Sequence, residues 1–280
     1  MPTTAGTPTS ASTPPLRREV YYFTYQNWYN LSYPWPAAIV IGSSIFYLLL
    51  VYVIWPMFIP TSPGGKALAD KLRKAHNILL FLYSGFCCTA TLHFMWRNGE
   101  LDILGPRGMD PLICNEELPE WLWYLNITFV FSKIYEWFDT MFLVLFKGKL
   151  TFLHVYHHCT TFWLFLLVSN FNSTIKQGMV LNGFVHTMMY AHYAWRFPKP
   201  LVPLITICQI LQLIFVTFVW GETPRRCPLH HSFIERYTLE FWSPYAMVPV
   251  YLLFFVKFFV QRFILGGGED GRKSKSKKAQ

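Results

Sequence analysis

Three histidines, His154, His157 and His158, stand at helical spacing at the start of an apolar stretch. Spacings of three and four residues place their imidazole rings on one face of a helix. An imidazole can bind a metal ion, transfer protons near pH 7, or act as a nucleophile that accepts an acyl group. A lone histidine on an apolar face usually has a packing role, but three together favour chemistry. The cluster therefore predicts a catalytic site.

A second polar set, Lys133, Glu136, Asp139 and Thr140, lies inside another apolar segment. A charge at the centre of a bilayer costs about 2.5 to 3.5 kcal/mol on insertion scales, so these residues need partners or a water-filled cavity. Lys133, Glu136 and Thr140 share one helical face, and Asp139 lies near it. One interpretation is a structural ion pair between Lys133 and Glu136. We favour a site, because the segment holds more acceptors than one lysine can neutralise.

A third set forms a polar and aromatic stripe on one predicted helix. Its members are Asn182, His186, Met189, Tyr190 and Tyr193. Asn and Tyr beside His can fix a tautomer or stabilise an oxyanion. A hydrogen-bonded seam between helices is the alternative. His192 lies on another side of this helix, and we expect it to point away from the stripe.

A fourth stripe, Thr206, Gln209 and Gln212, is compatible with a site and equally with helix packing. The remaining histidines lie outside these stripes, and we assign them to interfaces or loops without a role in the site. They are His76, His93, His230 and His231.

The elements that must position these residues are membrane-spanning helices. The chain is 53% hydrophobic and 14% charged, against about 25% charged residues in an average soluble domain. This composition argues against a soluble fold. The net charge of +9 would suggest a nucleic-acid partner, but most basic residues flank apolar runs, so we expect none. Seven apolar stretches have the length to cross a bilayer. They are Pro34–Ile59, Asn77–Trp96, Trp121–Phe146, Leu150–Phe171, Gly178–Trp195, Leu201–Trp220 and Trp242–Val260.

The sequence thus predicts an all-α polytopic membrane protein in which seven helices enclose a tunnel. Residues 34–265 form the membrane domain. Residues 1–33 form a disordered and interfacial segment, and residues 266–280 form a basic tail. Lysine and arginine gather on one predicted face, which places the C-terminus in the cytosol.

Two features depend on this orientation. Cys114 and Cys227 fall in lumenal loops, where oxidation is permitted, so a disulfide between them is a hypothesis. Lys277 and Lys278 stand near the C-terminus in the dilysine pattern of retrieval to the endoplasmic reticulum. The alternative is a polybasic tail that enforces orientation and contacts anionic lipid.

Histidine clusters in membranes also occur in di-iron desaturases and hydroxylases, which need about eight histidine ligands. The chain has nine histidines in all, and too few of them can face one metal centre, so counting disfavours iron. A mononuclear site that uses the three clustered histidines and Asp139 stays open. A seven-span transporter with buried ionisable residues is a further alternative, although no internal repeat supports it.

The four polar sets occur in the order Lys133-x-x-Glu136-x-x-Asp139-Thr140, His154-x-x-His157-His158, Asn182-x-x-x-His186-x-x-Met189-Tyr190 and Thr206-x-x-Gln209-x-x-Gln212. Together they closely resemble the ELO family of very-long-chain fatty acid elongases. The resemblance extends from about Pro34 to Leu265. Two departures, His192 where many members have Tyr and Gly183 where many have Ser, bear on chain-length preference more than on the reaction.

The resemblance implies a 3-oxoacyl-CoA synthase of the endoplasmic reticulum, which condenses an acyl-CoA with malonyl-CoA and releases CO2 and CoA. His157 would match the family's acyl-accepting histidine. His186 with Asn182 would hold the malonyl thioester and stabilise the enolate. His154, His158 and Asp139 would orient the nucleophile or couple it to protons. No metal or other cofactor would be required.

The same resemblance gives expectations for binding. Substrate would contact a set of polar residues that line the stripes, namely Lys133, Glu136, Thr140, Tyr190, Tyr193, Gln209 and Gln212. Lys199 and Arg262 would bind CoA phosphates, with the positive-inside rule as their alternative explanation. The segment Phe152–Tyr156 is similar to the branch that prefers polyunsaturated chains. Expected partners are membrane lipid, the reductase and dehydratase of the elongation cycle, and a second copy of the chain in a homodimer.

Overall fold

The computed structural model of the protein describes residues 35–169, 171–227 and 238–266. Within these ranges every regular element is a helix, which confirms the predicted all-α fold. The α-helices are α1 (Trp35–Leu49), α2 (Pro63–Arg97), α3 (Asp110–Cys114), α4 (Glu120–Tyr135), α5 (Trp137–Leu145), α6 (Phe152–Val168), α7 (Asn172–Trp195), α8 (Val202–Arg226) and α9 (Thr238–Phe259). Short π-helical turns extend α1 over Leu50–Ile54 and α9 over Val260–Ile264.

The chain divides into two units, residues 1–46 and residues 47–280. The described part of the first unit is helical and belongs to α1. The second unit carries every described residue of the predicted site. The predictions for residues 1–33, for His230 and His231, and for Lys277 and Lys278 in the tail lie outside the described residues.

Four described helical segments are long and apolar enough to cross a membrane: Val40–Phe58, Pro63–Arg97, Lys199–Arg226 and Phe241–Ile264. The apolar helix α6 is shorter. Large apolar side chains such as Leu79, Leu82 and Phe86 are more than half exposed on α2, as expected for a surface that faces lipid rather than water. Each of the seven predicted spans overlaps described helical residues: the first covers α1 and two short helical turns, the third covers α4 and α5, and each of the others overlaps one α-helix.

The third predicted span differs from expectation, because it is broken at Glu136. Helix α4 ends at Tyr135 and α5 begins at Trp137. The backbone N–H of Asp139 donates to the carbonyl of Glu136 at 3.0 Å, which is the tighter bonding pattern of a 3₁₀ turn. The break lies between Lys133 on one side and Asp139 and Thr140 on the other, and the partners of these residues differ.

Helices α2 and α7 pack closely at Gly183. A Cβ atom at this position would lie 3.0 Å from the backbone oxygen of Ser84 and 3.2 Å from the Cβ of Cys88. A serine, frequent here in the family that the sequence resembles, would require α2 to shift. The glycine therefore allows the close approach that fixes Asn182, its neighbour, in the interior of the second unit.

Candidate active site

Two cavities meet beside the clustered histidines. The outer cavity has a volume of about 350 Å³. Its polar wall includes His154, His157, His158, Asn182 and His186. Sequence analysis predicted these five residues as a catalytic group, and the structure brings them to one wall.

The inner cavity is apolar and narrow. Its volume is about 80 Å³, and its lining includes Leu164, Leu213, Val216 and Trp220. This volume lies between those of two and three water molecules at about 30 Å³ each. Four residues line both the inner and the outer cavity: His157, Asn182, Gln212 and Phe255. His157 thus lies where the cavity with the histidine-rich lining meets the more apolar one.

A third space, the side cavity, has a volume of about 550 Å³ and carries basic residues. Arg73, Arg196 and Lys199 line it together with Asp139 and His154, which also line the outer cavity. Lys199 was predicted from the sequence as a phosphate-binding residue, whereas Arg73 was not. Arg262, the other predicted phosphate contact, lines the outer cavity.

The start of α6 holds the histidine cluster in place. The Thr151 hydroxyl accepts a hydrogen bond from the backbone N–H of His154 at 3.2 Å, and this cap begins the helix at the cluster. His154 Nε2 is 2.9 Å from Thr140 Oγ1, which is 2.9 Å from the Tyr47 hydroxyl. The rings of His154 and His158 have centroids 4.4 Å apart. Thr140 therefore orients a histidine and is not among the residues that line the three cavities.

Lys133 and Glu136 form the ion pair that sequence analysis kept as an alternative. Lys133 Nζ donates to Glu136 Oε1 at 2.7 Å and to Asn182 Oδ1 at 2.8 Å. Glu136 Oε1 is also 3.4 Å from His186 Nδ1. Both members of the pair are 1% exposed, and neither lines any of the three cavities. The pair contacts two residues of the wall, Asn182 and His186, and its contact with substrate stays a prediction.

Asp139 has a partner that sequence analysis missed. His76, assigned above to an interface without a role, is 5% exposed, and its Nε2 lies 2.9 Å from Asp139 Oδ1. The Tyr190 hydroxyl donates to Asp139 Oδ2 at 2.6 Å. Tyr190 thus holds Asp139 and is not among the residues that line the three cavities, so its contact with substrate stays a prediction. No helical spacing links residue 76 to residue 139, so the sequence carried no signal for this pair.

The rest of the α7 and α8 stripes lies along the outer cavity. Met189, Tyr193, Thr206, Gln209 and Gln212 line it. His192 lines it too, which corrects the expectation that it points away. Its Nδ1 accepts a hydrogen bond from the backbone N–H of Phe197 at 2.9 Å. His192 lies in the last turn of α7, and this hydrogen bond ties its ring to the segment that follows the helix.

Cys114 and Cys227 are joined in a disulfide, with their Cα atoms 5.5 Å apart. It links the end of α3 to the residue after α8.

A second buried ion pair joins Lys176 on α7 to Glu100, which follows α2. Lys176 Nζ donates to Glu100 Oε1 at 2.7 Å, and both side chains are 0% exposed. Neither member of that pair lines the three cavities.

The described residues contain no group of three or more His, Cys, Asp or Glu side chains placed to hold one metal ion. His154 contacts Thr140 and Asp139 contacts His76 and Tyr190. The donor set weighed above for a mononuclear centre, the three clustered histidines with Asp139, is therefore not arranged around a common point.

Comparison with known proteins adds independent information. Residues 31–272 match the protein family described as ELO: GNS1/SUR4 family. The chain is 35% identical over 167 residues to long chain fatty acid elongase 1 of Caenorhabditis elegans, an alignment that spans 56% of each protein. It is 33% identical over 247 residues to human very long chain fatty acid elongase 6, covering 78% of this chain and 83% of that protein. The rat elongase 6 is 29% identical over 248 residues, with the same shares covered.

Proposed function

Because the chain belongs to the ELO (GNS1/SUR4) family of multi-pass membrane proteins, we propose that it is the condensing enzyme of a fatty acid elongation cycle. It joins a long-chain acyl-CoA to malonyl-CoA and forms a 3-oxoacyl-CoA two carbons longer, CO2 and CoA. Its relatives are named fatty acid elongases, which supports the substrate class. The choice of His157 as the reacting residue rests on the geometry of the cavities.

One observation carries this assignment, the position of His157 between the outer and inner cavities. An acyl-CoA is polar on one side of its thioester and apolar on the other. Its reactive carbonyl therefore belongs where the cavity that carries polar side chains meets the more apolar one. The inner cavity is too small for a long acyl chain as it stands, so the chain enters by displacing apolar side chains such as that of Phe255.

In the first half-reaction an imidazole nitrogen of His157 attacks the thioester carbonyl. The C–S bond breaks, the CoA thiolate leaves, and the thiolate takes the proton that the imidazole loses. The product is an acyl-imidazole. In the second half-reaction malonyl-CoA loses CO2, and the resulting enolate attacks the acyl carbonyl. The C–N bond breaks, and His157 takes up one proton as it is released. Covalent catalysis divides one difficult condensation into two easier steps.

His186 and Asn182 line the outer cavity within reach of the same space. We assign them to the malonyl thioester, whose oxygen carries negative charge in the enolate. Hydrogen-bond donors fixed at such a position are a major source of rate enhancement. His154, His158 and Asp139 orient His157 or exchange protons with it. Lys199 and Arg262 bind the CoA phosphates, with Gln209, Gln212 and Tyr193 along the entry.

The test is trapping of the intermediate. Purified protein is incubated with acyl-CoA alone, and its intact mass is measured. We expect one acyl group per chain, located at His157 by peptide mapping and removed on addition of malonyl-CoA. His157→Ala should abolish both the adduct and two-carbon extension. His93→Ala, an exposed histidine outside the cavities, is the matched control. Extension by His157→Ala would show that the nucleophile is wrong.

The proposal includes a preference of the enzyme for polyunsaturated acyl-CoAs. It rests on Val155 and Tyr156, which are similar to the residues of the family branch that prefers such chains. A panel of saturated and polyunsaturated acyl-CoAs with equal chain lengths tests it.

We also propose residence in the endoplasmic reticulum with a cytosolic C-terminus, retrieval through Lys277 and Lys278, association with the reductase and dehydratase, and a homodimer. No metal or other cofactor enters the reaction. Redistribution of a Lys277→Ser/Lys278→Ser variant to later compartments would support the retrieval signal.

A further inference from the structure

The amide of Asn182 lies between a buried ammonium group and the two cavities. Its Oδ1 accepts a hydrogen bond from Lys133 Nζ at 2.8 Å, and the residue lines both the outer and the inner cavity. We propose that Lys133 is a positioning residue that turns this amide so that its Nδ2 hydrogens face the reacting oxygen. This inference rests on the proposed function and assigns the group that binds the oxyanion.

An asparagine side chain can present either its oxygen or its amide nitrogen, because the two orientations have nearly the same shape. A lysine ammonium has three donors and no acceptor. It can therefore pair only with Oδ1, and the opposite orientation would place two donors against each other. The consequence is that Asn182 is left with N–H donors, and not an acceptor, for the cavity that His157 shares with it.

Lys133 acts through Asn182, because its own side chain does not line the site. It is 1% exposed and lines none of the three cavities. Its ammonium lies 4.4 Å from the centre of the Phe129 ring, a cation–π distance. Glu136 Oε1 at 2.7 Å neutralises its charge. The ion pair is thus a fixed, electrically neutral support for Asn182. Since neither member lines a cavity, contact with substrate does not explain why two charges are buried here.

The acyl carbonyl oxygen becomes negatively charged twice in the proposed reaction. This happens when His157 attacks the thioester, and again when the enolate attacks the acyl-imidazole. Both events take place at the carbonyl carbon bound to His157, so one donor serves both. Removal of one oxyanion donor typically lowers kcat by about 10²- to 10³-fold. Binding of the ground-state thioester changes far less, because its oxygen carries little charge.

The first variant removes the ammonium without leaving a buried charge alone. Replacing both partners of a buried ion pair is tolerated far better than removing one, so Lys133→Met/Glu136→Gln is used. We expect kcat to fall about 100-fold with the KM for acyl-CoA within threefold of wild type. The matched control is Lys176→Met/Glu100→Gln, which removes a pair with the same 2.7 Å separation and the same depth of burial but no contact with the cavities. It should lower the melting temperature and leave kcat unchanged.

The second variant, Asn182→Asp, keeps an oxygen for Lys133 but presents a carboxylate oxygen to the cavity in place of an N–H. We expect a loss of kcat at least as large as that of the pair variant. In the combined variant, Lys133→Met/Glu136→Gln with Asn182→Asp, the losses should not multiply, since the lysine acts through the asparagine.

Three results would overturn the inference: a kcat of Asn182→Asp within threefold of wild type, losses that multiply in the combined variant, or an equal loss of kcat in the control pair. If the Lys133 pair variant does not fold, a kcat of Asn182→Asp within threefold of wild type still overturns the inference, because the lysine then has no donor to position. Wild-type protein is assayed in parallel. No 3-oxoacyl-CoA from the wild type would refute the proposed function itself, whereas an active wild type with one of the three results refutes the role of Lys133 and leaves the condensation reaction standing.

Discussion

His76 Nε2 lies 2.9 Å from Asp139 Oδ1, and this contact joins α2 to the start of α5. The second carboxylate oxygen of Asp139 accepts from the Tyr190 hydroxyl, so both oxygens have a fixed partner. Asp139 nevertheless lines the outer and side cavities. The carboxylate is therefore held still at the wall of the space in which the proposed reaction takes place.

Removal of the His76 ring nitrogens should disturb Asp139 and lower kcat. His76→Phe keeps the aromatic packing against Tyr135, Phe142 and Tyr190 but deletes one hydrogen bond to a charged group, worth about 1.5 to 3 kcal/mol. We expect kcat to fall about tenfold or more, measured as two-carbon extension of a saturating acyl-CoA. His93→Phe, on the same helix and exposed, should have wild-type kcat. Equal rates for the two variants would contradict the role of His76.

Much of the site followed from the sequence, because its members repeat with the period of a helix. The α6 histidines and the α7 and α8 stripes were found in this way, and all their members except Tyr190 line the outer cavity. Contacts between helices were not accessible. His76 with Asp139 and Tyr47 with Thr140 join residues far apart in the chain, and spacing carries no information about such pairs. The break at Glu136 was missed for a related reason, since no proline or glycine marks it.

The disulfide between Cys114 and Cys227 should stabilise the protein without affecting the reaction. It closes a loop with a sequence separation of 113 residues, and disulfides commonly contribute about 2 to 4 kcal/mol by restricting the unfolded chain. Cys114→Ser/Cys227→Ser should melt at a lower temperature in detergent and keep its KM for acyl-CoA. A reducing agent should lower the melting temperature of the wild type and of the control Cys208→Ala, but not that of the double variant. An unchanged melting temperature on reduction would show that the bond contributes nothing.

The basic residues of the outer and side cavities should determine the affinity for CoA. Lys199→Gln and Arg262→Gln should each raise the KM for acyl-CoA about two- to fivefold, because an exposed charge contact is worth up to about 1 kcal/mol. The effect should shrink as salt is added, since screening weakens the wild-type contact. Lys74→Gln is the control, as Lys74 is exposed and lines none of the three cavities. Wild-type KM values in both cavity variants would contradict phosphate binding. Membrane orientation would then be the remaining explanation for Lys199 and Arg262.

The inner cavity should set which acyl chains are accepted, and Val216→Phe tests this by filling it. Val216 lines the cavity, whose volume of about 80 Å³ leaves no room for an added ring beside an acyl chain. Misfit of even one methylene in an apolar pocket changes kcat/KM by about tenfold or more, so the longest accepted acyl-CoA should lose at least that much relative to the shortest. Ile214→Phe is the control, because Ile214 lies two residues earlier on α8 and is 48% exposed. A parallel loss with all chain lengths, or the same shift in the control, would place the acyl chain elsewhere in the protein.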